Sequence, residues 1–237
     1  MPENIRGIAM SKILFSNTML FVLLIATPYG LAEDNPIDRW ATAVGGRDKV
    51  AAIKAVYREA TLEFGAYKGT LKVWHTADGK YRKEEKIGDL STVEIFDGTK
   101  GTIKEGDAPA REMTSAEVEI SKAKRFANAN AMFFAFFPER RHGTVATDPD
   151  GTIVLKPDGG VEWRVTLDPQ TLLPKTMVHK ESNRTITVRF DSYETVDGLK
   201  FEKEIHRSAG GPASAVIRFT KTVINPPVDA GLFSITQ

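Results

Sequence analysis

The chain has 237 residues, no cysteine, and 32 basic against 31 acidic side chains. The missing cysteine excludes disulfides, thiolate chemistry and a lipid-modified N-terminal cysteine. The charges are scattered, with no basic stripe of the kind that marks a nucleic-acid surface.

The first segment, SKILFSNTMLFVLLIATPYGLA, starts weakly basic at Arg6 and Lys12, runs apolar from Met19 to Ala26, and reaches small residues at Gly30 and Ala32. This is the layout of a secretory signal with a small-x-small cleavage site. The apolar run is shorter than the ~20 residues that span a bilayer, and Pro28 and Gly30 break it. Cleavage after Ala32 is expected, whether translation starts at Met1 or Met10. It would leave residues 33–237 as one soluble exported domain, long enough for a sizeable core. Losing Arg6, Lys12 and Glu3 makes that remainder formally neutral.

NPIDRWATAVGGRDKVAAIKA reads as two short helices, capped near Asn35 or Asp38 and separated by Gly45-Gly46. VYREATLEF then alternates, with Val56, Ala60, Leu62 and Phe64 on one face. Arg58 falls on the same face, where it either snorkels at a strand end or makes a buried polar contact. Strands follow at GTLKVWH, KYRKEEKI, TVEIFD and KGTIKE, with turn signals at Asp78-Gly79, Gly88-Asp89 and Asp97-Gly98 that favour antiparallel hairpins.

TSAEVEISKAKRFANANAMFFAFF has a capping Thr114 or Ser115, an acidic first turn and no β-alternation, so one or two helices ending at Pro138 are expected. Its second half is unusually apolar, with Phe126, Met132, Phe133, Phe136 and Phe137. These residues either pack against a sheet as core or belong to a helix that fills an apolar cavity and can leave it. Beyond residue 143 strands resume at GTIVLKP, VEWRVTLD, KTMVHKE, RTITVRFDSYE, LKFEKEIHR and SAVIRFTKTV. In the hairpin LDPQTLLPKTMVHK a turn runs from Asp168-Pro169 to Leu173-Pro174, and Leu167 is expected to pack against Val178. The pattern is α+β and mainly β: a curved antiparallel sheet wrapped around helices.

No nucleophile elbow, phosphate-binding loop, HExxH or Asp-Thr-Gly motif occurs. His75, His142, His179 and His206 lack metal-ligand spacing, and Glu84-Glu85 reads as a solvated strand edge. No catalytic residue, metal or cofactor is therefore expected.

In order, AVGGRDKVAAIKAVYREATLEF, GTLKVWHTADGKYRKE, LDPQTLLPKTMVHK, FDSYETVDGLKFEKEI and VINPPVDAGLFSI resemble the LolA/LolB-type lipoprotein carriers and the wider group of outer-membrane lipoprotein-sorting-like proteins. The resemblance covers nearly all of residues 33–237. It implies an unclosed antiparallel β-barrel with a helical lid, whose apolar interior holds acyl chains. The helix from Thr114 to Phe137 would be the lid, with Phe126, Met132, Phe133, Phe136 and Phe137 lining the cavity. Tyr81-Arg82 matches the aromatic-arginine pair that helps the lid close, without the proline that often precedes it; the alternative for Arg82 is an exposed strand arginine. The implied function is a periplasmic carrier or binder of lipid-modified proteins or lipids, with acyl chains as ligand and a membrane-bound donor or acceptor protein as possible partner. The second reading is a periplasmic sensor of lipids or lipoproteins that acts through a protein partner.

Overall fold

The computed structural model describes residues 35–127, with the backbone alone at 124–127, and residues 135–137, 142–181, 183–211, 214–229 and 231–234. Met132, Phe133, Pro138 and residues 1–34, with the expected cleavage site, lie outside the described residues, as does the side chain of Phe126.

The described residues begin with two short helices, α1 (Pro36–Ala43) and α2 (Arg47–Ala51). Asn35 caps α1 by accepting from the Ile37 amide at 3.1 Å, with Pro36 in the first turn where its missing N–H costs nothing. Gly45 lies between the helices at φ +123°, and a Cβ there would collide with the Gly198 carbonyl, so only glycine fits.

Six strands follow: β1 (Ala55–Phe64), β2 (Tyr67–Thr76), β3 (Tyr81–Ile87), β4 (Leu90–Phe96), β5 (Gly101–Glu105) and β6 (Arg111–Glu112). Next comes α3 (Ser115–Ala127), and then β7 (Gly143–Thr147), β8 (Ile153–Pro157), β9 (Trp163–Leu167), β10 (Pro174–Glu181), β11 (Arg184–Val196), β12 (Leu199–Ser208) and β13 (Ser214–Ile224). All join one antiparallel sheet in the order β6-β5-β4-β3-β2-β1-β13-β12-β11-β10-β9-β8-β7. Two meanders are thus stitched together at the centre by the first and last strands, and β6 and β7 are left as unjoined edges. This is the open, curved antiparallel sheet expected from the sequence, with its helices gathered on one face.

That face carries the main core. Trp40 and Ile37 of α1, Val44 at its C-terminal cap and Val50 of α2 meet Val56 of β1, Leu155 of β8, Trp163 of β9, Met177 of β10 and Phe201 of β12. Each such side chain contributes about 1.5–3 kcal/mol on burial. Phe136 is fully buried in the same cluster and meets Trp40 edge to face, with ring centroids 5.0 Å apart.

Two expectations are corrected, and two strands were missed. Of the one or two helices expected to end at Pro138, α3 is described to Ala127, and Ala135–Phe136 lie in a turn. The hairpin register pairs Leu167 with Pro174 and Val178 with Arg164, which puts Met177 and Val165 in the core in place of a Leu167–Val178 contact. Strands β6 and β7 were not anticipated, because neither a two-residue strand nor GTVAT shows a usable alternation.

The N-terminus of α3 is a reciprocal capping box. Glu117 accepts from the Thr114 amide at 2.8 Å, and Thr114 Oγ1 accepts from the Glu117 amide at 3.3 Å. The Arg111 guanidinium, donating to both oxygens at 2.7 and 2.8 Å, is the main reason the Glu117 carboxyl falls from its ordinary 4.5 to about 2. A lowered carboxyl contributes stability in full above its unfolded-state value and loses it as pH falls through the folded one. Wild type should therefore exceed Glu117→Gln by no more than about 1 kcal/mol at neutral pH, since the pair is partly solvated. The gap should close between pH 4.5 and about 2. Urea titrations of both proteins across that range check this, and a constant gap would exclude the carboxylate as its source.

Candidate functional site: an open cavity at one end of the sheet

Along β1 the inward positions are Val56, Arg58, Ala60, Leu62 and Phe64, and they change partners as the strand advances. Val56 belongs to the main core, while Ala60 and Leu62 form a second cluster with Leu71 of β2 and Phe219 of β13. Arg58 lies between the two and is only 2% exposed. It pairs with Glu202 at 2.6 Å and Glu194 at 4.0 Å, donates to Thr222 Oγ1 at 3.1 Å, and donates to the Glu202 carbonyl. Its guanidinium stands 3.4 Å from the Phe219 ring centroid and 5.5 Å from that of Phe201. Burial lowers its pKa, and Glu202 and Glu194 oppose that shift. Of the two readings left open for Arg58, the structure shows the buried polar contact.

Beyond Arg58 the interior opens. A cavity of about 510 Å³ has Leu62, Leu71, Ile87 and Ile217 as an apolar floor. Its walls carry Lys83, Glu85 and Glu94 on one side, and Glu181 and Arg207 on the other. A volume in this range suits a small amphiphile. Lys83 is 2.5 Å from Glu94 and 3.7 Å from Glu85, and Arg207 is 2.7 Å from Glu181. Below Glu181, His179 is 4% exposed, stacks on Trp163 at 3.8 Å, and places Nε2 3.3 Å from the Glu181 carboxylate.

Helix α3 spans the interior. Tyr81, 3% exposed, shares a 2.9 Å hydrogen bond with Ser121 of α3 and donates to Glu94 at 3.2 Å. Burial, reinforced by Glu94, pushes the phenol far above its ordinary value. On the other side, α3 lies so close to the β8–β9 turn that a Cβ on Gly160 would approach Pro157 to 2.6 Å and the Glu119 carbonyl to 3.2 Å.

The residues expected from the sequence are dispersed. Phe136 and Phe137 are in the core, with Arg47 over the Phe137 ring at 6.0 Å. Arg82 alternates with Tyr81, so it sits on the sheet's opposite face, where it donates to Glu84 at 2.8 Å and to the Leu232 carbonyl at 3.2 Å. Of the wall residues, Lys83, Glu94, Glu181 and Arg207 were not singled out beforehand, and Glu85, read with Glu84 as a solvated strand edge, lines the cavity instead. The signal that could have found them is parity: Lys83 and Glu85 fall on the same face as Tyr81 and Ile87.

Among the described residues, Asp191, Glu204 and His206 are the one grouping with metal-ligand atoms within 4.8 Å of one another. Arg189 holds Asp191 at 2.6 Å and Arg218 holds Glu204 at 2.9 Å, so these carboxylates already have cationic partners.

No protein-family model and no curated protein matches the sequence. Solved structures do match. A DUF1329 family protein from Desulfovibrio piger superposes with a TM-score of 0.54 at 11% identity, covering 84% of this chain and 98% of that one. A putative outer membrane lipoprotein-sorting protein domain from Vibrio parahaemolyticus gives 0.49 at 10% identity, covering 83% and 97%. A LolA superfamily protein from Nitrosomonas europaea gives 0.49 at 9% identity, again covering 83% and 97%. At 11% identity the likeness to the Desulfovibrio piger protein is one of fold alone.

Proposed function

We propose that the protein is an exported, periplasmic carrier or binder of acylated molecules, either lipid-modified proteins or lipids, made soluble by removal of residues 1–32. The observation that carries this reading is the 510 Å³ cavity, apolar at its floor and ionic at its walls, within a sheet left open at both edges. Sheltering a 16-carbon chain from water is worth on the order of 10 kcal/mol at ~0.8 kcal/mol per methylene, part of which is offset by ordering the complex. Such a carrier needs no catalytic group. Release is driven by exchange with another apolar environment, offered by a membrane or a membrane-bound donor or acceptor protein.

The acyl contacts proposed at Phe126, Met132 and Phe133 fall on side chains outside the described residues, while Phe136 and Phe137 lie in the core. Among the described residues, no helix is long and apolar enough to cross a membrane.

Native mass spectrometry of the protein isolated from its own cell envelope tests the proposal. The expected species is a chain beginning at Glu33 with an acylated molecule attached, and the purified protein should bind a fluorescent acyl probe with an uncharged head. A chain that carries nothing and does not bind the probe would overturn it.

A further inference from the structure

Three of the four large apolar side chains exposed among the described residues meet at one corner of the cavity mouth: Phe64 at 42%, Tyr67 at 63% and Leu90 at 77%. Phe64 and Tyr67 face each other across the β1–β2 turn, and Leu90 lies in the neighbouring β3–β4 hairpin. The two hairpin tips enclose a groove of about 580 Å³ that also contains Glu85. Phe64, Glu85 and Ile87 line both the groove and the cavity, so the two spaces are continuous.

Glu85 is the least neutralised carboxylate of the cavity wall. Its cationic neighbour Lys83 is 3.7 Å away and lies closer to Glu94, at 2.5 Å, while Glu181 is held by Arg207 at 2.7 Å. Counted together, the wall has three carboxylates against two cations. An anionic headgroup would meet net negative charge there.

We propose that this groove is a receptor for an alkylammonium headgroup, so that the amphiphile held by the protein carries a quaternary or similarly substituted amine at the end of its acyl chain. The inference rests on the acyl-binding reading above and specifies its ligand class. Two aromatic faces with a carboxylate beside them are the chemistry that recognises a weakly hydrated cation: the ring quadrupoles attract it and the carboxylate supplies full charge. The apolar chain would continue past Ile87 onto the floor formed by Leu62, Leu71 and Ile217.

The test is calorimetric titration of the protein with three single-chain probes below their micellar concentrations: dodecyltrimethylammonium, dodecanoate and dodecyl maltoside. The expected result is at least about tenfold tighter binding of the ammonium than of the carboxylate, weakening as salt rises. Glu85→Gln and Tyr67→Ala should each remove most of that preference, read as the ratio of ammonium to maltoside affinity in the same variant. Both side chains are solvent-accessible, so both variants should fold. Equal affinity for the two charged heads, or a preference that survives Glu85→Gln, overturns the headgroup assignment while maltoside binding still supports the cavity. Failure of all three probes to bind overturns the acyl-binding reading as well.

Discussion

Arg58→Met should destabilise the protein by about 3–5 kcal/mol, the cost of leaving a buried carboxylate without its counter-charge. Glu202 is 7% exposed and lies 2.6 Å from the guanidinium, so water cannot readily replace the lost partner. Methionine keeps much of the side-chain length against Phe219 and Phe201, which isolates the charge from the packing. Pairing this variant with Glu202→Met in a double-mutant cycle should return much of the loss, because a buried ion pair replaced on both sides by apolar groups is often near neutral. Urea unfolding of the four proteins measures the coupling. A loss under about 1 kcal/mol for Arg58→Met, in the range of an exposed pair, would show that the site is wetter than its burial indicates.

Phe136→Ala should cost about 3–5 kcal/mol as well, by a different mechanism. The ring is fully buried and meets Trp40 edge to face at 5.0 Å, so truncation forfeits the transfer energy and leaves a cavity lined by α1. The sequence alone left two outcomes open for this aromatic run, a large loss for a core residue or a small one for a displaceable cover. The described geometry at 135–137 selects the first for Phe136. Unfolding free energies decide the matter, and a loss below about 1 kcal/mol would mean that Phe136 leaves its site in the native ensemble.

The sheet was legible because its signals are local. Alternation within VYREATLEF and the Asp-Gly turns specify strands and hairpins from neighbouring residues, and β1 to β5 fall where those signals lie. The cavity was not legible in the same way, because its walls are built from charged residues on inward positions. In YRKEEKI every interior position carries charge, so composition suggests solvent while the pleat turns Lys83 and Glu85 inward between Tyr81 and Ile87. Arg58 posed the converse difficulty. Its parity placed it inside, but the carboxylates that make burial tolerable come from β11 and β12, far along the chain. A single strand cannot announce a partner that only the sheet order brings to it.

The seam between β1 and β13 has a consequence for how the chain matures. Val56 pairs with Ile224, and each meander on either side of that seam can form from nearby hairpins, but the central pairing requires segments from nearly opposite ends of the sequence. Loop-closure entropy must be met before that contact gives anything back, which places the protein among topologies of high contact order and slow folding. A polypeptide synthesised from its N-terminus delivers β13 last. Until then β1 lacks one of its two neighbours, and Arg58 lacks Thr222 and the Phe219 ring. The central pairing is thus completed only when the final strand arrives.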